Sequence, residues 1–260
     1  MATEPPKPNI DVGRVVSRGF TALKANFLPF FGFSLVLAGL PGFLQGYLSV
    51  FNVEALAAGS FSPLDYFGAA LLGAAATFLG FALLQGVLTR STILTLGGRE
   101  ADPGGSALYA LRLVLPIIGI SICVGFLIVC GFILLIVPGI MVWCALSVAV
   151  PVLVEERQGV FDSISRSRDL TRGSRLQIFL LGVLFWVFSA VIGGVVSVVT
   201  GASMFPMPGA LPNPLILGLG QGLAASLTNV ISTVLLAALY VELREVKEGA
   251  ATDRLADVFG

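Results

Sequence analysis

The 260 residues contain no histidine, and only 12% of them are charged. A soluble domain carries about 25% Asp, Glu, Lys and Arg. The shortage of charge therefore argues against a water-soluble body. The missing imidazole removes serine–histidine and cysteine–histidine nucleophile systems, and with them the usual ligand sets of zinc and haem. Cysteine is scarce too. Cys123, Cys130 and Cys144 lie in apolar segments without CxxC spacing, so they read as small packing residues. No metal, no cofactor and no catalytic residue is expected. The net charge is zero, which gives a nucleic acid no electrostatic reason to bind. No Asp, Glu, Lys or Arg falls near the centre of any long apolar run. Proton-coupled pumps and intramembrane aspartyl proteases depend on such groups, so their absence counts against both.

What remains is apolar. The chain is 56% hydrophobic with a mean hydropathy of +0.96. Six runs are long or apolar enough to cross a membrane: 27–50, 66–89, 115–137, 139–155, 176–199 and 216–241. A hydrocarbon core of about 30 Å needs about 20 helical residues. The expected fold is all-α, an integral membrane protein built as a bundle of six transmembrane helices with amphipathic lead-in helices. Residues 11–249 form that domain, 1–10 a proline-rich disordered tail, and 250–260 a C-terminal tail. The fourth run is short and contains Pro151. Only Pro138 and Gly139 separate it from the third, and these two residues mark a tight turn. A re-entrant pair that never crosses is the other arrangement of these two runs.

The basic residues set the orientation. They cluster before the first run, between the second and third, between the fourth and fifth, and after the sixth. Six crossings put all 15 on one side, leaving Glu54 and Asp65 as the charges opposite. The positive-inside rule makes the basic side cytoplasmic, with both termini there. Before the first run, Val12, Val15, Val16, Gly19, Phe20 and Leu23 share one helical face, and Arg14, Ser17, Arg18, Thr21 and Lys24 share the other. Asp11 is placed to cap this helix, which is expected to lie in the interface with its basic face toward headgroups. VSRGFTALKANFLPFFG (16–32) aligns with ISRSRDLTRGSRLQIFL (164–180), and SALYALRLVLPIIG (106–119) is a shorter third version. Three hairpins, each with its own lead-in helix, follow from that repeat.

Arg14, Arg18, Arg166, Arg168 and Arg172 are candidates for contact with lipid headgroups or a partner protein. Gln221 and Asn229 are candidates for lining a cavity in the sixth run. Gly218, Gly222 and Ser226, like Ala69, Gly73, Ala76 and Gly80, have the four-residue spacing that lets helices approach closely. They read as packing within one bundle ahead of a homo-oligomer contact. Glu155, Glu156, Glu242 and Glu245 end the fourth and sixth runs, where ion pairing at the rim is their expected role. The leading function is a non-enzymatic membrane protein that engages lipids or a protein partner through its basic face. A transporter or channel for a neutral or amphiphilic solute, and a lipid-modifying enzyme acting through Glu155 or Glu242, are the other two.

Pro138, Gly139, Pro151, Glu155, Gly159, Ser167, Leu170 and Gly173, with the tail LYVELREVKEG (239–249), form a pattern that resembles the membrane domain attached to some glycerophosphoryl diester phosphodiesterases and its free-standing bacterial relatives. The resemblance implies a bacterial inner-membrane protein of several helices. It does not imply phosphodiesterase activity, which belongs to a separate barrel domain with catalytic histidines. Cysteines placed at Ser60 and Gly209 are expected to react with an impermeant thiol reagent from outside the cell, and one at Ser163 only from the cytoplasmic side.

Overall fold

The structure is a computed structural model that describes residues 10–60, 62–100, 102–200 and 213–249. Ten α-helices account for most of these residues, and no strand occurs among them. The tail at 1–9, the segment at 250–260 and Gly209 lie outside the described residues. Ile10 does not belong to a tail: it is buried against Leu243 and Val15 in the core.

Six stretches are long and apolar enough to span a membrane. A lead-in helix α1 (Val12–Ala25) precedes α2 (Phe27–Ser34). A π-helical turn at Leu35–Gly39 joins α2 to α3 (Leu40–Ala57), and together they make the first span. The turn has a cause in the sequence. Pro41 has no N–H to offer the Leu37 carbonyl, so the ladder widens there, and the Leu40 amide bonds back to Leu35. Spans two and three are α4 (Pro63–Leu96) and α5 (Pro103–Leu134). Span four is α6 (Ile136–Leu146) with α7 (Ala149–Glu156). A second lead-in helix, α8 (Val160–Thr171), precedes span five, α9 (Arg175–Thr200). Span six is α10 (Pro214–Arg244), which ends in a π-helical turn at Glu245–Gly249.

The expected turn between spans three and four needs correction. The chain reverses at Leu135, whose backbone is extended, and not at Pro138-Gly139. Pro138 is the third residue of α6, where a helix amide has no partner to lose. Gly139 serves close approach: a Cβ on Gly131 would lie 3.0 Å from the Gly139 Cα, and one on Gly139 would strike the Phe132 ring. The tip is exposed and wholly apolar from Ile133 to Val137. Span four is then broken at Ser147-Val148, four and three residues before Pro151, as a proline inside a helix dictates. That break frees the Ala145 carbonyl. Ser167 and Thr171 of α8 donate their hydroxyls to it at 2.9 and 3.2 Å. The α8 helix is thus seated on the defect that Pro151 creates.

The repeat is visible in burial. Leu28, Leu115 and Leu176 point outward, while Phe30, Ile117 and Ile178, two residues later in each copy, are buried. The third lead-in segment is not a separate helix: residues 106–114 run straight into α5. Half of span four and half of span six are buried, against about a tenth of α9. Small residues make α10 the axis. A Cβ on Gly46 would lie 3.0 Å from the Gly218 Cα, and one on Gly222 would lie 2.7 Å from the Gly39 carbonyl oxygen. Ser34 Oγ seals the same seam by donating to the Ser226 carbonyl at 2.8 Å. Of the other small residues, Gly80 packs on Leu37 whereas Gly73 meets nothing within 4 Å.

Ser163 is fully buried, so Ser165, exposed on the same helix, replaces it as the labelling position for sidedness. Gly222→Ala is expected to cost about 1–3 kcal/mol by overpacking the seam. Gly73→Ala, placed in open space, is expected to stay within about 0.5 kcal/mol. Thermal midpoints in mild detergent check the pair.

Candidate functional site

Three groups of side chains gather at the basic end of the bundle. The first surrounds Glu242, at the end of α10. Its side chain is completely buried, and it is held by Arg14 and Arg18 of α1, each at 3.2 Å. The contacts are ionic, since neither carboxylate oxygen has a well-aligned hydrogen bond. Arg18 also bonds Glu245 at 2.7 Å. These contacts follow from how α1 folds. Asp11 caps the helix by accepting from the Gly13 and Arg14 amides, as expected. Val15, Gly19 and Ala22 then form its buried face, with Gly19 against Leu235 and Ala238 of α10. Here the sequence-based expectation is revised: the small apolar stripe of α1 packs on α10, and Arg14 and Arg18 reach acids of α10.

The second group links α7, α8 and the end of α10. Glu156 accepts from the Tyr240 hydroxyl at 3.0 Å and from Arg166 Nε at 3.2 Å. Arg166 also pairs with Glu248, which Arg244 holds at 2.7 Å. Burial alone would lower the pKa of the Arg166 guanidinium, but the charges and hydrogen bonds of Glu156 and Glu248 outweigh it and raise the pKa. Lys247 completes the junction by donating to the carbonyls of Asp169 and Arg172 at 3.2 and 2.8 Å. A cation there satisfies the open end of α8.

The third group centres on Tyr109 of α5. Its hydroxyl donates to the Val154 carbonyl at 2.8 Å and accepts from Arg157 Nε at 3.0 Å. Arg90 stacks over the ring at 3.8 Å from its centroid, and Arg157 lies at 5.0 Å. Arg157 ends α7 in the left-handed region, at φ 53°, where glycine is the easier residue. No local pattern pointed to this group, because its members come from three separate spans.

The five candidate arginines therefore divide. Arg14, Arg18 and Arg166 pair with acids of the protein itself. Arg168 and Arg172 are exposed on α8 and meet no carboxylate among the described residues. Phe161, Asp162, Ser165, Arg168 and Asp169 are exposed along α8, with Arg172 exposed at its C-terminal cap, while Ser163, Ser167, Leu170 and Thr171 face inward. Gln221 is exposed, and the half-buried Asn229 donates back to the Ala225 carbonyl at 2.8 Å within its own helix. Neither lines the apolar groove of about 470 Å³ between α2, α4 and α5, walled by Pro29, Phe33, Leu83 and Leu111.

Glu242 is buried whereas its arginines reach solvent, so the two sides of the ion pair are not equivalent. Removing both arginines leaves a buried charge without a partner, and Arg14→Ala with Arg18→Ala is expected to cost about 3–5 kcal/mol. Glu242→Gln leaves only solvent-reachable cations and is expected to cost about 1 kcal/mol. Thermal unfolding in detergent, with proteolytic release of α1 as a second reading, checks the asymmetry.

No family model matches the chain, and no solved structure matches it. Over 172 residues, 65% of the chain, it is 27% identical to a UPF0259 membrane protein of Pectobacterium carotovorum subsp. carotovorum, strain PC1. The aligned stretch spans 62% of that relative's length. The likeness and the six apolar spans agree on the class: this chain is an all-helical, multi-pass membrane protein.

Proposed function

We propose that this is a non-enzymatic protein of the bacterial inner membrane, with both termini cytoplasmic, whose basic face holds the headgroups of anionic lipids. One observation carries the reading. The α8 helix docks its inner face on the bundle and turns Phe161, Arg168 and Arg172 outward, with no carboxylate on either guanidinium among the described residues. An apolar ring beside cations is the composition of a helix lying in the headgroup layer. Exposed Lys24 and Arg112 add charge on the same side. Of the two acids on which a lipid-modifying enzyme would depend, Glu242 is closed off from substrate by burial, whereas Glu155 is exposed at the end of α7. The neighbouring Glu156 is held by Tyr240 and Arg166.

Purification in mild detergent followed by mass spectrometry of retained lipid tests the proposal. Anionic lipid is expected to be enriched over the bulk membrane. Arg168→Gln with Arg172→Gln is expected to weaken its binding about thirtyfold, at about 1 kcal/mol for each arginine near the surface. Retention of bulk composition, unchanged in the double variant, would sink the reading.

A further inference from the structure

We infer that Arg90 and Arg157, set around the ring of Tyr109, form a binding site for a phosphate group. The observation is an imbalance of charge. Arg14, Arg18, Arg166 and Arg244 each have a carboxylate within ion-pair distance. Arg90 and Arg157 have none among the described residues, although both lie within 5.0 Å of one ring centroid. Two like charges brought this close repel each other. Stacking on the ring offsets part of that cost, and the carbonyl end of α7 favours one cation there. Neither supplies a counter-anion.

The group is also held in place. The Tyr109 hydroxyl is fixed between the Val154 carbonyl and Arg157 Nε, and Arg90 is half-buried. Only one nitrogen of Arg157 is used in that bond, so the rest of its fork is open to a ligand. Guanidinium forks match the oxygens of a phosphate, and two of them suit a group with several equivalent acceptors better than a single carboxylate. The depth fits as well. Arg90 lies just past the apolar run 66–89 and Tyr109 just before the run 115–137, so the site lies where the phosphates of one leaflet lie. A basic pocket between spanning helices on that side is a recognised way of holding a lipid headgroup.

The inference shares with the proposed function only the sidedness of the bundle, and it uses different arginines, so either can fail alone. The full chain in mild detergent is titrated with dihexanoyl phosphatidic acid, and separately with inorganic phosphate. Arg90→Gln with Arg157→Gln is expected to weaken phosphatidic acid binding at least about tenfold, and Arg99→Gln, at an exposed cation outside both groups of arginines, to leave it unchanged. Binding of the lipid alone makes the ligand a headgroup; competition by inorganic phosphate at similar concentration makes it a soluble phosphate compound. Equal binding by the Arg90/Arg157 double variant and the parent, or binding of neither probe by the parent, would overturn the inference. If the double variant does not fold, phenylglyoxal labelling of Arg157 in the parent decides. Protection by phosphatidic acid is the expected result, and labelling that the lipid does not slow would count against the site.

Discussion

A carboxylate with no access to water closes the basic end of this bundle. Glu242 lies at the end of α10, the helix against which α1, α3, α4 and α9 all pack. A charge removed from water is costly, and the cost falls only if opposite charge comes close. Arg14 and Arg18 supply it, but only when α1 lies along α10. That requirement ties the first helix of the chain to the last. In a bilayer, apolar side chains gain little by leaving lipid for one another, so helix position must come from packing and polar contacts. The buried carboxylate provides the polar contact at one end of α10. The glycine seam of Gly218 and Gly222 against α3 provides the packing further along.

The second lead-in helix is placed by a different defect. Pro151 breaks span four, the break exposes the Ala145 carbonyl, and the hydroxyls of Ser167 and Thr171 cover it. Once α8 is seated this way, Arg166 faces Glu156 and Glu248, and Lys247 meets the open carbonyls at its end. The polar side chains of α8 thus do two jobs that share one cause. The inner hydroxyls repair the backbone, and their spacing leaves Arg168 and Arg172 on the outer face. In α1 the repeat puts Gly19 where α8 has Ser167 and Leu23 where it has Thr171, so that helix can approach α10 directly at Gly19 and its arginines reach the acids of α10.

How much of this the sequence showed depends on whether a local pattern carried it. The six spans were legible because hydrocarbon thickness sets a length that residue counting detects. The Asp11 cap and the two-faced α1 were legible for the same reason, since both lie within a few residues. The break after span three was misplaced by three residues because a proline at a helix start and one at a turn look alike in sequence. The orientation of Gln221 and Asn229 was not legible. A spanning helix is apolar all round, so its sequence does not tell the inner face from the lipid face. Pairing at the rim was foreseen as a type of contact, but its partners were not. Arg18 and Glu245 are 227 residues apart, and Arg166 and Glu248 are 82 apart.

These pairings change what the basic face means. Counted in the sequence, 15 cations on one side suggest a uniform positive surface. In the fold, Arg14, Arg18, Arg166 and Arg244 pair with acids of the protein itself, and the first three hold α1 and α8 against α10. An arginine that holds two helices together is no longer free for a ligand without loosening the junction it makes. The cations left without an acid among the described residues include Arg168 and Arg172 at α8, Arg90 and Arg157 around the Tyr109 ring, and the exposed Lys24 and Arg112. On the proposed reading, such a surface would favour a few defined headgroup contacts over diffuse attraction to the whole leaflet, because screening weakens a diffuse field faster than it weakens a contact in a partly buried site. The rigid junction and the unpaired charge are then parts of one arrangement, in which the acids at the ends of spans four and six decide which arginines remain available.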